Sequence, residues 1–369
     1  FSEVGDSGNL SDDLLQWQVR AALRMGDWAT ALWTTRALRD PMADGGAWTY
    51  WQARALLALA QDEDDKAQAR DSLERVAGQP GQRGFYQKLA LEALGQAITA
   101  PPPPPAPSDA ERAWAQQHPG LQRALRAIAL GLHGEGGREW IYWISLHDRG
   151  GVDERHALAA AELACAHAVW DRCINTSERT RSFIDFAQRY PTPFRDAVVR
   201  QSADVGLEAA YVYGLIRQES RFVLAARSHV GASGLMQLMP ATARWTARKI
   251  GLTGFTPAQP NDLYTNILLG TSYLKLALDD FQGSMPLASA AYNAGPGRPA
   301  RWRNGPVLEA AIWAENIPFT ETRNYVKQVL ANTTDYAILL TGQPQSLLQR
   351  LGTVGPLPPG ADDPSRDLP

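Results

Sequence analysis

A seven-residue pattern recurs at fixed spacing near the start of the chain, and that spacing limits the folds open to it. Residues 17–23 read WQVRAAL, residues 51–57 WQARALL and residues 85–91 FYQKLAL. Each has an aromatic first residue, a basic residue three later and a closing leucine, and each is offset from the next by 34. A period of this length suits stacked helix–turn–helix units. One such unit cannot bury its apolar face alone, so its neighbours must cover it. Gly26-Asp27 supplies the turn signal inside the first unit.

Three units of this tetratricopeptide kind predict a partial helical-repeat superhelix over residues 1–100. The run PPPPPAP at 101–107 then breaks the pattern. Proline fixes φ and offers no amide, so the run reads as an extended polyproline spacer. Helical texture returns to about residue 184, with the Ala-rich stretch RHALAAAELACAHA at 155–168. Residues 101–184 are therefore expected to form the spacer and a helical linker domain. Tyr190-Pro191-Thr192-Pro193 marks a boundary. Beyond it Gly and Pro punctuate shorter helices, which sets off a third unit over 185–345. Residues 346–369 are rich in proline and weak in periodicity, so a disordered tail is expected there. No segment alternates apolar and polar residues, and the fold class is all-α.

With 36 basic and 39 acidic residues the net charge is −3. That balance excludes an electrostatic case for nucleic acid or an anionic membrane as partner. The six histidines are scattered, and no Cys/His or Asp-rich cluster has ligand spacing, so neither metal nor cofactor is expected. Cys165 and Cys173 would lie about 12 Å apart along one straight helix, too far for a disulfide. They can pair only if the chain turns between them, and two buried free thiols are expected. The 12 tryptophans are packing anchors, a few of them alternatively lining a carbohydrate or peptide cleft. No apolar run reaches membrane-spanning length. The chain opens on Phe1 rather than Met, so a processed or partial sequence with its export signal upstream is expected.

One carboxylate sits where carboxylates seldom sit. In residues 207–223, LEAAYVYGLIRQESRFV, the helical line through Val212, Leu215, Ile216, Glu219, Phe222 and Val223 is apolar except for Glu219. Two readings are open. Glu219 pairs with Arg217, Arg221 or another basic group and reaches water, or it is desolvated, keeps its proton near neutral pH and can act as a general acid. The following segments bear on the choice. GASGLMQLMP at 231–240 makes an irregular loop that lets backbone approach closely. AYNAGPGR at 291–298 sets a polar pair beside a tight turn, and IPFTETRNYVK at 317–327 starts a helix with Glu321 in its first turn.

ESRF, GASGLMQLMP, AYNAGPGR and IPFTETRNYVK, in this order and at these separations, resemble the catalytic domain of the soluble lytic transglycosylases, over roughly 190–340. That family has a lysozyme-like catalytic domain preceded by an α-helical superhelix and a short helical linker domain. Its superhelix would be much shorter here, which leaves open the closed ring it forms in the family. The resemblance implies cleavage of the bond between N-acetylmuramic acid and N-acetylglucosamine in peptidoglycan, with a 1,6-anhydro end as product. Glu219 matches the single catalytic acid and base. Ser228, Gln237 and Met239 match residues lining the substrate cleft, Tyr292 and Asn293 the pair beside the acid, and Glu321 a second acidic cleft residue that is not a nucleophile. Where the family often has ESAW or ESSF, this chain has ESRF. The resemblance further implies a periplasmic enzyme acting on glycan strands, working beside other cell-wall enzymes, and a monomer is expected. A strict lysozyme-type hydrolase and a non-catalytic peptidoglycan-binding scaffold are the alternatives.

Overall fold

A computed structural model describes residues 10–81, 83–147, 150–256, 262–357, 360 and 368–369. Five helices come first: α1 (Asp12–Met25), α2 (Trp28–Ala37), α3 (Ala43–Leu59), α4 (Glu63–Ala77) and α5 (Phe85–Ala93). The expected turn is present. Gly26 ends α1 in the left-handed region at φ 69, and Asp27 caps α2 by accepting from the Thr30 amide. The three repeat aromatics fall on α1, α3 and α5, Trp17 and Trp51 inside their helices and Phe85 at the first position of α5, which is followed by extended chain and not by a partner helix. Trp51 and Phe85 are buried, and the Trp51 indole donates to the Tyr86 hydroxyl at 3.3 Å. Trp17 is 38 % exposed and is covered by the guanidinium groups of Arg20 and Arg323 instead.

The proline run follows as extended chain, but it is not a free spacer. Arg155 donates to the carbonyls of Pro105 and Ala106 at 2.7 and 2.8 Å and to both oxygens of Glu111. Glu111 in turn completes a capping box with Ser108 at the start of α6 (Asp109–Gln117). Next come α7 (Pro119–Ala129), α8 (His133–Ile141), a π turn at Tyr142–Leu146, α9 (Glu154–Ala166), α10 (Trp170–Ser177) and α11 (Phe186–Arg189). They enclose a small core of their own around Leu121, Ala124, Trp140, Ala160 and Cys173.

The expectation of free thiols is corrected here. Cys165 and Cys173 form a disulfide, with their Cα atoms 5.1 Å apart. The Ala-rich helix that carries Cys165 stops at Ala166. Ala168 then takes φ 56 and the Val169 amide returns to the Ala164 carbonyl, so α10 starts in a new direction.

The third region holds α12 (Arg195–Val205), α13 (Ala209–Glu219), α14 (Pro240–Lys249), α15 (Leu263–Asp280), α16 (Met285–Ala294) and α17 (Gly297–Trp302). A two-residue strand β1 (Leu308–Glu309), α18 (Ala310–Glu315) and the long α19 (Thr320–Thr341) follow. α13 is buried nearly all round and lies along α19. A Cβ on Gly214 would sit 2.5 Å from Thr333 Oγ1 and 2.8 Å from its amide nitrogen, so glycine sets how closely the two helices approach.

Two clusters of buried charge tie the first five helices to this region. Glu315 accepts from Arg20 Nε at 3.1 Å, from Lys327 Nζ at 2.5 Å and from the Tyr86 hydroxyl. Burial pushes its pKa up, but Lys327 and Arg20 overcome that and hold it down at about 2. Asp335 on α19 accepts from Arg83 and from the fully buried Lys88, at 2.9 and 2.8 Å. Burial pulls Lys88 down to about 8 even so.

The tail expected to be disordered is ordered over its first part. α20 (Leu347–Leu351) buries Leu347 and Leu351, and β2 (Thr353–Val354) pairs antiparallel with β1, Leu308 opposite Val354. Ser346 and the Leu348 amide both donate to Glu92, and the Gln345 amide donates to the Ile98 carbonyl. Leucines at 347, 348 and 351 give one apolar helical face that the surrounding prolines obscure in the sequence. Residues 358–359 and 361–367 of that tail lie outside the described residues. The short ladder is the one sheet among the described residues, and the fold is otherwise all-α. No helix among them is long and apolar enough to cross a membrane.

Gly214→Ala should force α13 and α19 apart and cost about 1–3 kcal/mol, the usual range for overpacking a tight core contact. Urea unfolding of the variant against the wild type measures it.

Candidate active site

Glu219 is the last residue of α13. The helix stops there because the next residues turn sharply. Arg221 and Phe222 both take left-handed φ, 47 and 65. The reversal drives the Phe222 ring into the core, 2 % exposed, against Tyr213 and Tyr336. Two consecutive non-glycine residues in that region cost of order 1–3 kcal/mol each, offset here by the burial of the ring.

The flanking arginines are committed elsewhere. Arg217 donates to Glu178 at 2.6 Å, to the Arg189 carbonyl at 3.0 Å and to Asn332 at 3.1 Å, and Arg221 pairs with Glu178 at 3.6 Å. The salt-bridge reading of Glu219 therefore fails. The partner of Glu219 is a phenol: Tyr325 donates to its Oε1 at 2.5 Å.

Glu219 as a residue is half-buried, and its carboxyl group is desolvated by the surrounding protein. Desolvation raises its pKa to about 8, against the hydrogen bond from Tyr325, which favours the carboxylate, and with a smaller push from the negative charge of Glu321. Glu219 thus holds its proton at neutral pH.

The glycine- and methionine-rich loop folds back on itself between α13 and α14. Ser233 and Leu238 exchange both backbone hydrogen bonds at 3.1 Å. Ser228 pairs with Ala232 through its amide, and its hydroxyl accepts from the Ala232 amide at 2.9 Å. Gln237, at φ 43, donates from its amide to the carbonyls of Ala226 and Gly234. Ser228 and Gln237 are thus tied to the loop's own backbone, and among the described residues no hydrogen bond links either to Glu219. The two methionines differ. Met236 is fully buried against Gly270, where a Cβ would stand 2.3 Å from its sulfur, and Met239 is 40 % exposed at the start of α14.

The other blocks close on this loop. Tyr292, in the last turn of α16, donates to the Met236 carbonyl at 2.8 Å, and its own pKa is raised well above the usual phenol value by burial and by the charge of Glu219. Asn293 accepts from the Thr322 hydroxyl at 2.7 Å, which joins the end of α16 to the first turn of α19. Glu321 is exposed in that turn.

The site thus brings Glu219, Tyr292 and Glu321 within electrostatic reach and braces them through Asn293, with Ser228, Gln237 and Met239 in the loop alongside. Sequence reasoning missed Tyr325, Thr322 and Asn266. Tyr325 stands four residues after Glu321, hence on the same helical face, and that spacing was readable in ETRNYVK. Asn266 is a buried amide on α15 that accepts from the Met236 amide at 2.8 Å and donates to the Ser233 carbonyl at 3.1 Å. Its only signal is a polar residue in the apolar stretch of α15. Among the described residues no three His, Cys, Asp or Glu side chains converge as a metal site would need.

Comparison with known proteins adds an independent line. The transglycosylase SLT domain family matches residues 197–309, and the soluble lytic transglycosylase helical domain family matches 316–345, on α19 rather than on the N-terminal hairpins. The chain is 32% identical over 343 residues to the soluble lytic murein transglycosylase of Salmonella typhimurium, covering 92% of this chain and 50% of that protein. It is similar to the X-ray structure of an inactive Glu-to-Gln mutant of lytic transglycosylase Slt from Pseudomonas aeruginosa, with TM-score 0.80, 33% identity, and coverage of 93% of this chain and 54% of that one. The 70-kDa soluble lytic transglycosylase from Escherichia coli matches with TM-score 0.75 and 28% identity, over 93% and 53%. The chain shares the fold of these proteins and spans about half the length of the curated relatives it matches.

Two titrations follow from this geometry. Glu219 keeps its proton in the folded protein up to about pH 8, whereas an unfolded glutamate loses it near ~4.3. The stability owed to that bound proton is complete below the lower value and is lost as pH rises through the upper one. Glu219→Gln does not titrate, so its thermal midpoint should gain on the wild type across that window and hold a constant lead above it. Tyr325→Phe removes a hydrogen bond that favours the carboxylate, so the alkaline limb of the pH–rate profile should move to higher pH.

Proposed function

The chain belongs to the soluble lytic transglycosylase family, and we propose that it cleaves the β-1,4 bond between N-acetylmuramic acid and N-acetylglucosamine in peptidoglycan, leaving a 1,6-anhydro end. The observation that carries this reading is Glu219: desolvated, protonated near neutral pH, free of both neighbouring arginines and bonded to Tyr325.

Glu219 gives its proton to the glycosidic oxygen as the bond to C1 of the muramoyl residue breaks. The Tyr325 hydroxyl then steadies the carboxylate it leaves behind. The substrate's own N-acetyl group supports the oxocarbenium-like centre. Glu219, now a base, removes the proton of the C6 hydroxyl, and that oxygen closes on C1. The closure is intramolecular, so it gains from high effective concentration and needs no positioned water. A retaining hydrolase would need a second carboxylate about 5 Å from the first. Glu321 suits a cleft residue better than that nucleophile, because it is exposed and its charge is the weakest of the three influences on Glu219.

Ser228, Gln237, Met239, Tyr292 and Asn293 complete the proposed substrate cleft, with Tyr292 and Asn293 holding its walls through Met236 and Thr322. The proposed substrate places the enzyme in the periplasm, acting on glycan strands.

Digestion of purified peptidoglycan, with the muropeptide ends identified by mass spectrometry, tests the reading. Anhydro ends are expected, and Glu219→Gln should lose roughly 10²–10⁴-fold in rate, the span for removing a general acid. Reducing ends alone would establish a hydrolase instead, and full activity in Glu219→Gln would remove the site from Glu219.

A further inference from the structure

The helices that follow the proline spacer carry a ladder of rings that the proposed chemistry does not use. It runs His156, Trp114, His118, Trp143, His147, with centroid steps of 4.4, 5.2, 4.8 and 4.3 Å. Tyr142 adds a sixth ring, 5.2 Å from Trp143 and 5.7 Å from His147. The four α-helices α6 to α9 and the π turn contribute to it or brace it, and every ring in it is partly or well exposed, Tyr142 at 46 %.

Three features suggest that this surface is built for a ligand. The first is the π turn. The His147 amide returns to the Tyr142 carbonyl, five residues back, which swings Tyr142 and His147 onto one face, where an α-helix would separate them by about 140°. Such turns are uncommon and frequent at functional sites. The turn is also locked: a Cβ on Gly151 would fall 1.9 Å from the Ile144 carbonyl oxygen, so the chain can close there only with glycine.

The second is rigidity. Each of three rings is held by a hydrogen bond at its edge. Trp143 Nε1 donates to Glu139 at 3.0 Å, His118 Nδ1 accepts from the Leu121 amide at 3.3 Å, and His156 Nδ1 meets Asp153 at 2.8 Å. Trp143 lies directly over Gly120, where a Cβ would stand 2.0 Å from the indole nitrogen. Rings fixed in advance lose little freedom on binding.

The third is the rim. Arg123, bound to Glu139 at 2.6 Å, and Asp153 flank the rings with side chains 59 % and 64 % exposed. A row of partly exposed rings, packed edge to face and ending on the exposed Tyr142, with hydrogen-bonding groups along its rim, matches a sugar chain. The slightly positive C–H face of a pyranose lies on the negative face of a ring, and its hydroxyl and acetamido groups reach the polar edge.

We propose that this ladder is an accessory binding surface for glycan strands of N-acetylated amino sugars, separate from the cleft at Glu219. The inference rests on the peptidoglycan reading given above. It assigns the linker helices the task of holding a strand while the cleft acts on it.

Binding of the full chain to peptide-free glycan strands, prepared by amidase treatment of peptidoglycan, tests the proposal, with Glu219→Gln present throughout to prevent cleavage. Adding Tyr142→Ala or Trp143→Ala should weaken binding about fivefold or more, the effect of losing one or two aromatic contacts. Tyr142→Phe, which keeps the ring, should bind like its parent. Tyr142 is half-exposed, so its variants should fold even if the Trp143 variant does not. Strands should also shift the Trp143 indole N–H resonance, identified by its disappearance in Trp143→Phe. Equal binding by Tyr142→Ala and its parent, with no shift of that resonance, would overturn the accessory surface and leave the proposed function standing. No binding of strands by the parent itself would bring down both.

Discussion

The close approach of α13 to α19 at Gly214 governs the site. With no side chain at Gly214, the backbone of α13 rests directly against Thr333. That contact sets how closely the two helices approach, and so bears on where the C-terminal end of α13 meets the N-terminal half of α19. Glu219 and Tyr325 come from those two segments, and a 2.5 Å hydrogen bond between them tolerates little error in either. The flanks of α19 are held in turn by Lys327 on Glu315 and by Asp335 on Lys88 and Arg83. The N-terminal helices are thereby part of what holds Tyr325 in place, although none of their side chains enters the site.

Three enclosed carboxylates show how neighbours alone decide what an acid does. Glu315 and Asp335 are fully buried and each faces two cations, so both stay ionised with lowered pKa. Glu219 faces one phenol and no cation, and its pKa moves the opposite way. The first two are structural ties whose value lies in fixing one arrangement of the helices more than in net stability. The third carries the cost of desolvation, and that cost keeps a transferable proton on it.

What the sequence could disclose divides along local and non-local lines. The 34-residue spacing of Trp17, Trp51 and Phe85 and the apolar line through Glu219 are short-range patterns, and helices are present at all four places, although the line read through Phe222 and Val223 leaves the helix after Glu219. The four blocks around the site were readable because each is a contiguous run of unusual residues. The errors are of a different kind. The Cys165–Cys173 pair hinges on one left-handed residue, Ala168, in an Ala-rich stretch that reads as uninterrupted helix. The ordered tail depends on Glu92, some 250 residues earlier, receiving Ser346 and Leu348. Tyr325 was in plain view, but its role depends on which helix lies opposite, and no pattern in ETRNYVK states that. Gln237 shows another non-local feature: its side-chain amide donates to the carbonyls of Ala226 and Gly234, a loop closure that the run GLMQLMP does not state.

The return of the chain to Glu92 and Ile98 has a mechanical meaning. The proline run joins the first five helices to the rest in sequence, yet Gln345, Ser346 and Leu348 also bond back to Ile98 and Glu92, and the buried charges of Glu315 and Asp335 link the same two parts. The assembly is therefore a closed circuit in which the covalent spacer is one of several ties in parallel. A break in that spacer would open the loop of chain without freeing either part. The relative placement of the N-terminal helices and the site is set by the surfaces they share, and the length of the spacer has only to be sufficient.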